Sequence, residues 1–417
     1  MLQTHDTVEV IPAASRLINS LRDMGYEFAT AIADLVDNSI EAGATTVAVD
    51  IEFEGSQSWV RLADNGRGMT PSALREAMRY GSSRTYSDGD LGKFGLGLKV
   101  ASLSQCRRLS VASRTNRERM DITAYCWDLE HIERTNRWEL IPVPREVGGA
   151  KLHRPLMDSI GAVVLWQRLD RILGYQDPDG ESARRRLSAM TREVEGHLSM
   201  VFHRLLAGEA AGRRKLSILV NGRPIQAWDP FARDEPGTKK LEPISIPVSH
   251  GRVRGDVILE PFVLPHQSAF SSADSFRRAS GPANWNQQQG FYVYRSNRLI
   301  QGGGWCRIRT LDEHTKLARV ALRFSPQLDD AFRVNVSKMR VELPASLREQ
   351  ISDAIAPVTR LANESYRRTD GRRETTPVSA GRVSPMVLHR VAQSLLSVSN
   401  SQERKVIKRV VARLTNG

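Results

Sequence analysis

Cysteine is scarce in this 417-residue chain: three occur, Cys106, Cys126 and Cys306, far apart and odd in number. That excludes a disulfide framework, and the spacings match no metal-binding cluster, so a reducing compartment, the cytoplasm, is expected. No apolar run approaches the length needed to cross a bilayer. The opening residues, Met1-Leu-Gln-Thr-His-Asp-Thr-Val-Glu9, lack the basic-then-apolar order of a secretion signal. A soluble protein without a membrane partner is the expectation. Acidic residues also fall short, 47 Asp and Glu against 60 Lys and Arg, leaving a net charge of +13. Such an excess favours a polyanionic partner, above all nucleic acid; its plainer alternative is a scattered basic surface. The hydrophobic fraction of 40% and charged fraction of 26% are ordinary for a globular protein, and the length suits two or three domains. There is no internal repeat.

What is present begins with a helix over Phe28 to Ile40, where Phe28, Ile32, Leu35, Val36 and Ile40 form an apolar stripe. Asp34, Asn38 and Glu41, at i, i+4 and i+7, share one polar face, and Gly43 ends the helix. Alternation predicts a half-buried strand over Val47 to Phe53, and a second strand over Trp59 to Ala63 sets Asp64 at its end. Thr70-Pro71 starts a helix closing near Gly81. Ser82 to Gly97 is polar and glycine-rich, a mobile loop before a helix at Leu98 to Leu103. A strand is expected over Ile160 to Asp170 and a helix over Arg184 to Leu206. A domain boundary is placed near residue 210, with strands beyond it at 216–220, 255–263, 291–294, 298–300 and 318–324. The expected division is 1–210, 211–345, a helix at 346–368, a linker at 369–383 and a basic helical tail at 384–417.

Three signatures carry chemistry: Asp34-Leu-Val-Asp-Asn38, Asp64-Asn-Gly-Arg-Gly68-Met69 and Gly92-Lys-Phe-Gly95-Leu-Gly97-Leu-Lys99. Each alone is weak, because Asp-x-Gly-x-Gly is common in turns and a polar helix face is usually only solvated. Together they supply the parts of an ATP site. Asn38 offers a neutral oxygen to an octahedral magnesium, with Glu41 around that metal. Asp34, one turn earlier, can accept a hydrogen bond from the water that attacks the γ-phosphate. Asp64 can accept from the exocyclic amine of adenine, with Gly66 and Gly68 letting the backbone approach the base. Gly92, Gly95 and Gly97 do the same for phosphates, met by backbone N–H groups and the start of the next helix. The candidate nucleotide-contacting set is Asn38, Glu41, Asp64, Gly66, Gly68, Met69, Ser82, Ser83, Gly92, Lys93, Phe94, Gly95, Leu96, Gly97 and Lys99, with Asp34 catalytic.

The order Asp34-x-x-x-Asn38, Asp64-x-Gly-x-Gly68, Gly92-x-x-Gly95-x-Gly97 resembles the Bergerat-fold (GHKL) ATPases: gyrase B subunits, chaperones of the ninety-kilodalton heat-shock class, sensor histidine kinases and MutL. The wording Ala33-Asp-Leu-Val-Asp-Asn-Ser-Ile-Glu-Ala-Gly-Ala44 is similar to MutL and especially to MORC-type ATPases, and Tyr80-Gly-Ser-Ser-Arg-Thr85 resembles the segment before their ATP lid. The resemblance is strong over about residues 25 to 170 and weaker over 215 to 345. It implies an α+β protein: an α/β sandwich ATPase domain, a ribosomal-S5-like transducer domain and a helical basic tail. It also implies a transducer lysine that reaches the γ-phosphate and closes a homodimer on ATP binding; the match is Lys338 in Arg333-Val-Asn-Val-Ser-Lys338-Met-Arg340, with Arg340 as rival.

Two departures from the family pattern point to slow turnover. The usual water-orienting glutamate is the shorter Asp34, and the Gly-Thr that starts a late strand is Gly161-Ala162, which removes a hydroxyl contact to phosphate. The leading expectation is an ATP-gated dimeric clamp on DNA, with the tail Arg404 to Arg413 on phosphates, possible work beside a nuclease or another operon-encoded partner, and roles in bacterial defence or DNA repair. The alternatives are a non-hydrolysing ATP-dependent interaction module, a chaperone-like switch, and the ATPase subunit of a topoisomerase-like complex. A histidine kinase would need a phosphoacceptor histidine on a dimerising helix before the ATP domain, where only His5 stands.

Overall fold

The alternation in Val47, Val49 and Ile51 and the helical stripe of Phe28 to Ile40 fold onto one another. The computed structural model describes residues 12–23, 25–81, 97–118, 121–174, 177–251, 253–282, 284–333 and 341–373, with residues 403 and 406. Ser82, Ser83, Gly92, Lys93, Phe94, Gly95, Leu96, Lys338, Arg340, most of the expected linker and nearly all of the tail lie outside the described residues.

In chain order come α1 (Ala14–Arg22), α2 (Phe28–Glu41), β1 (Thr46–Glu52), β2 (Trp59–Asp64), α3 (Pro71–Met78), α4 (Gly97–Leu103), β3 (Arg108–Arg114) and β4 (Thr123–Asp128). There follow α5 (Leu129–Thr135), β5 (Ile141–Pro142), α6 (Arg145–Leu152), β6 (Gly161–Gln167), α7 (Glu181–Val201), α8 (His203–Ala207), β7 (Ser217–Val220) and β8 (Arg223–Pro224). The eight strands form one sheet in the order β5-β4-β3-β6-β2-β1-β7-β8. Every neighbouring pair is antiparallel except β1 and β7. Val49, Leu62, Val111, Val164 and Trp166 on one face pack with α1, α2, α5 and α7 in the main core. Ala112, Cys126, Val163 and Leu165 on the other face share a smaller core with Leu152 of α6.

A second, six-stranded sheet is built from β9 (Lys239–Lys240), β10 (Ile244–His250), β11 (Val253–Val263), β12 (Gly290–Arg295), β13 (Arg298–Gly302) and β14 (Ala318–Phe324). Its order is β10-β11-β14-β12-β13, with β9 on β11; β12 and β14 run parallel. Helix α9 (Ala273–Ala279) lies in the β11–β12 connection, and α10 (Arg348–Arg373) follows the sheet. Ile351, Ile355, Val358 and Ala362, spaced as one helical face, belong to this sheet's core. Residues 1–365 make one compact unit and 366–417 a second.

The α+β architecture agrees with expectation, with four corrections. The boundary expected near residue 210 falls too early: β7 pairs with β1, and Leu216, Ile218 and Val220 are buried in the first core. Strand pairing across more than 150 residues leaves no local mark, so the glycines at 208 and 212 read as a boundary. The helix expected over 184–206 breaks at Phe202, whose ring is fully buried, into α7 and α8. The helix expected to end at 368 runs on to Arg373, into the expected linker. Strands β3 and β4 went unanticipated: β3 is buried on both faces beyond its first residue, so it has no alternating pattern to read. Leu198, fully buried on α7, ties that helix to the first core. Leu198→Ala is expected to cost about 2–5 kcal/mol in chemical denaturation; Arg185→Ala on the exposed face should stay within about 0.5 kcal/mol.

Candidate functional site

The end of β2 meets the start of β6 and the C-terminal half of α2 at Asp64. Its Oδ1 accepts hydrogen bonds from the backbone N–H of Gly66 at 2.9 Å and of Ala162 at 3.3 Å, and its Oδ2 accepts from the Ser39 hydroxyl at 2.9 Å. Burial pushes the Asp64 carboxyl up, and the bonds from Gly66, Ser39 and Ala162 oppose that by favouring the charged form. Both oxygens are fixed in direction.

The two glycines of this motif serve the protein before any ligand. Gly68 has φ +68°, and a Cβ there would stand 2.2 Å from the carbonyl oxygen of Arg114; a Cβ at Gly66 would stand 2.8 Å from the Ala42 Cβ and 3.0 Å from the Ala42 carbonyl oxygen. Both let the 65–69 turn close against Ala42 and Arg114. Met69 donates its N–H to Ser113 Oγ at 2.7 Å, and the Ser113 hydroxyl donates to Gly161 O at 2.9 Å. Ala162 pairs with Asp64 across β2 and β6, and the Ser39 hydroxyl reaches the same carboxylate.

Helix α2 is buried along nearly its whole circumference. Asp34 is 4% exposed; its Oδ2 accepts from the Tyr26 hydroxyl at 3.0 Å and its Oδ1 from Arg298 Nη2 at 3.4 Å. Burial, then the Asp34 charge, push the Tyr26 hydroxyl well up, so it remains a donor. Asp37, 1% exposed, accepts from Arg298 Nε at 2.9 Å. His197 of α7 is held down at about 4 by burial and by Arg298, and is neutral at physiological pH. A Cβ on Gly97, the first residue of α4, would come 3.9 Å from Asp34 Oδ2, so that carboxylate faces the end of the glycine run. Asn38 is exposed and Glu41 half-buried on the same helix. Among the described residues no group of three or more His, Cys, Asp or Glu is placed to hold a metal. The neutral Asn38 oxygen fits a cation that takes its other ligands from phosphate and water.

The structure turns Lys99 away from this cluster. It is 1% exposed, and its amine donates to the carbonyls of Ala77 at 3.0 Å and Arg79 at 2.7 Å, closing the end of α3. Sequence reasoning missed Tyr26, Ser39 and Arg298. Ser39 adjoins Asn38 and was within reach of a helical-face argument, but Arg298 stands 264 residues from Asp34 and carries no local signal.

Residues 26–158 match the histidine kinase-, DNA gyrase B- and HSP90-like ATPase family. The chain is 28% identical over 220 residues to the DNA mismatch repair protein MutL of Klebsiella pneumoniae (strain 342), an alignment covering 51% of this chain and 30% of the relative. It is 34% identical over 119 residues to MutL of Pseudoalteromonas translucida, covering 27% of this chain and 19% of that protein. With MutL of Aliivibrio salmonicida it shares 36% identity over 115 residues, 26% of this chain and 17% of the relative. The chain thus spans less than a third of the length of these relatives. It carries a GHKL-type ATPase domain, and that domain is related to the one in MutL.

The buried amine of Lys99 yields a pH prediction. Burial holds it down at about 8, whereas an unfolded lysine titrates near 10.5. Between these values the unfolded chain binds the extra proton, so stability rises with pH there, by up to about 1.4 kcal/mol per unit, and the gain is lost as pH falls through 8. Lys99→Met is expected to flatten this rise in denaturation curves taken between pH 8 and 10; an unchanged slope would assign the amine an ordinary titration.

Proposed function

We propose that the chain is a magnesium-dependent ATPase of slow turnover, whose nucleotide state switches a homodimer that acts on DNA. The observation that carries the first half is the joint placement of Asp64, fixed by three donors, and Asp34, facing Gly97, inside a GHKL-type domain. Asp64 would accept the adenine amine. The glycine run ending at Gly97 would present N–H groups to the phosphates, and Asp34 would orient the attacking water. Asn38, with Glu41 behind it, would hold magnesium, which supplies charge neutralisation on the phosphates when bound. Slow turnover is supported by the shorter reach of Asp34 and by its commitment to Tyr26 and Arg298.

The second half rests on broader ground. The net charge of +13, with the exposed run Arg184-Arg185-Arg186 on α7 and Arg213-Arg214-Lys215 ahead of β7, suits a phosphate backbone. The relatives are named for DNA mismatch repair. The second sheet with α10 would serve as the S5-like transducer, with Lys338 or Arg340 as the γ-phosphate sensor, in a cytoplasmic clamp of MORC or MutL type. One observation favours a second reading, an ATP-dependent interaction module that does not hydrolyse: both oxygens of Asp34 already accept hydrogen bonds from the protein.

Asp64→Ala is expected to abolish ATP binding by equilibrium titration, while Asp34→Asn should bind ATP and lose single-turnover hydrolysis by about a hundredfold or more. Normal ATP affinity in the first variant would remove Asp64 from the site. An unchanged rate in the second would remove Asp34 from catalysis, and a wild type that binds ATP without hydrolysing it would favour the interaction module. Duplex DNA should bind with an affinity that falls steeply between 50 and 200 mM salt. Binding that is absent, or indifferent to salt, would exclude DNA as the client.

A further inference from the structure

The second sheet reaches α2 through the buried guanidinium of Arg298. This residue begins β13, just after Ser296 and Asn297, whose φ values of 49° and 67° make the tight turn of the β12–β13 hairpin. Arg298 Nε donates to Asp37 Oδ1 at 2.9 Å and lies 2.8 Å from Oδ2 in the same ion pair, and Nη2 donates to Asp34 Oδ1 at 3.4 Å. Arg298 is 3% exposed, so its bonds exchange little with water. On the other arm of the hairpin, Arg295 Nε donates to both oxygens of Asp329, at 2.8 and 2.9 Å, in a second buried pair. The turn is therefore braced on both sides, by Asp329 in the turn that follows β14 and by α2 of the first sheet's layer.

We propose that Arg298 is a positioning residue for the Asp34 carboxylate, so that the seating of the β12–β13 hairpin on α2 governs ATP hydrolysis. The inference rests on the reading of Asp34 as the water-orienting group. An aspartate side chain has two torsions. Tyr26 holds one carboxylate oxygen and Arg298 the other, and together they fix the direction in which the remaining lone pairs point. A guanidinium serves Asp37 and Asp34 at once because its donors are held in a rigid planar fork; an ammonium on a flexible stem lacks that geometry. Displacing the hairpin moves the fork, and Asp34 with it, without touching the residues that would read adenine. The second sheet thereby acts on the hydrolysis step separately from ATP binding.

The test compares the wild-type chain with Arg298→Lys, which keeps the buried charge and loses the fork. Because a change at a buried ion pair can prevent folding, Asp37→Asn/Arg298→Gln, which keeps a neutral buried pair, is the second variant. ATP affinity is measured by equilibrium titration, and hydrolysis by single turnover with magnesium present. Both variants are expected to bind ATP within about threefold of wild type and to hydrolyse it at least about tenfold more slowly. In an Asp34→Asn background, Arg298→Lys should have no further effect on the rate, which a merely structural contribution would not produce. Wild-type hydrolysis in either folded variant, a loss of ATP affinity equal to the loss of rate, or additive effects with Asp34→Asn would each overturn the inference while leaving the ATPase reading intact. A wild type that neither binds nor hydrolyses ATP would instead overturn the reading of the pocket itself.

Discussion

Helix α2 is surrounded by protein and yet carries two carboxylates on its inward side, and the rest of the structure answers that conflict. Uncompensated charges in a dry interior are costly by several kcal/mol each, so Asp34 and Asp37 require donors. Tyr26, from the segment before the helix, and Arg298, from the far sheet, provide them. The pairing does not by itself add much net stability, because burying a guanidinium has its own cost. What it adds is registry: the two sheets fit together in an arrangement that lets the Arg298 fork meet both acids. His197, neutral and close to the same cluster, keeps a further positive charge out of it.

The site around Asp64 follows a different logic. There the polar groups come from short-range geometry, with a β2 end, a tight turn through Gly66 and Gly68, and the first residues of β6 converging on one carboxylate. Backbone N–H groups do most of the holding, which makes the Asp64 end rigid and independent of the second sheet. The Asp34 end, by contrast, is held by side chains of which one comes from that sheet. A domain related to that of MutL thus has two ends held differently: the Asp64 carboxylate by local backbone and Ser39, the Asp34 carboxylate by Tyr26 and by Arg298 of a distant hairpin.

The candidate site was legible to the extent that it is local. Asp34, Asn38 and Glu41 announce themselves by helical spacing, and Asp64 by its place after an alternating strand. Lys99 misled because its position after the glycine run suggests a phosphate contact, while the fold spends its amine on the carbonyls that end α3. Gly66 and Gly68 announced a close approach, and on the protein side Gly66 lies against Ala42 and Gly68 against the backbone of Arg114. In the fold, β3 could not be read because burial on both faces erases alternation, and β7 could not be assigned to its sheet because its partner lies far upstream.

By itself the sequence determined the chemical types and the local elements: a helix that presents acid and amide on one face, an acid at a strand end, glycines where turns must close. These follow from periodicity and backbone freedom, which act over a few residues. Only the tertiary structure decided which of those groups meet. It put Ser39 against Asp64, turned Lys99 inward, joined β7 to the first sheet and brought Arg298 across 264 residues to Asp34. Contacts of that kind are fixed by packing and by the need to pair buried charge, and neither leaves a periodic mark along the chain.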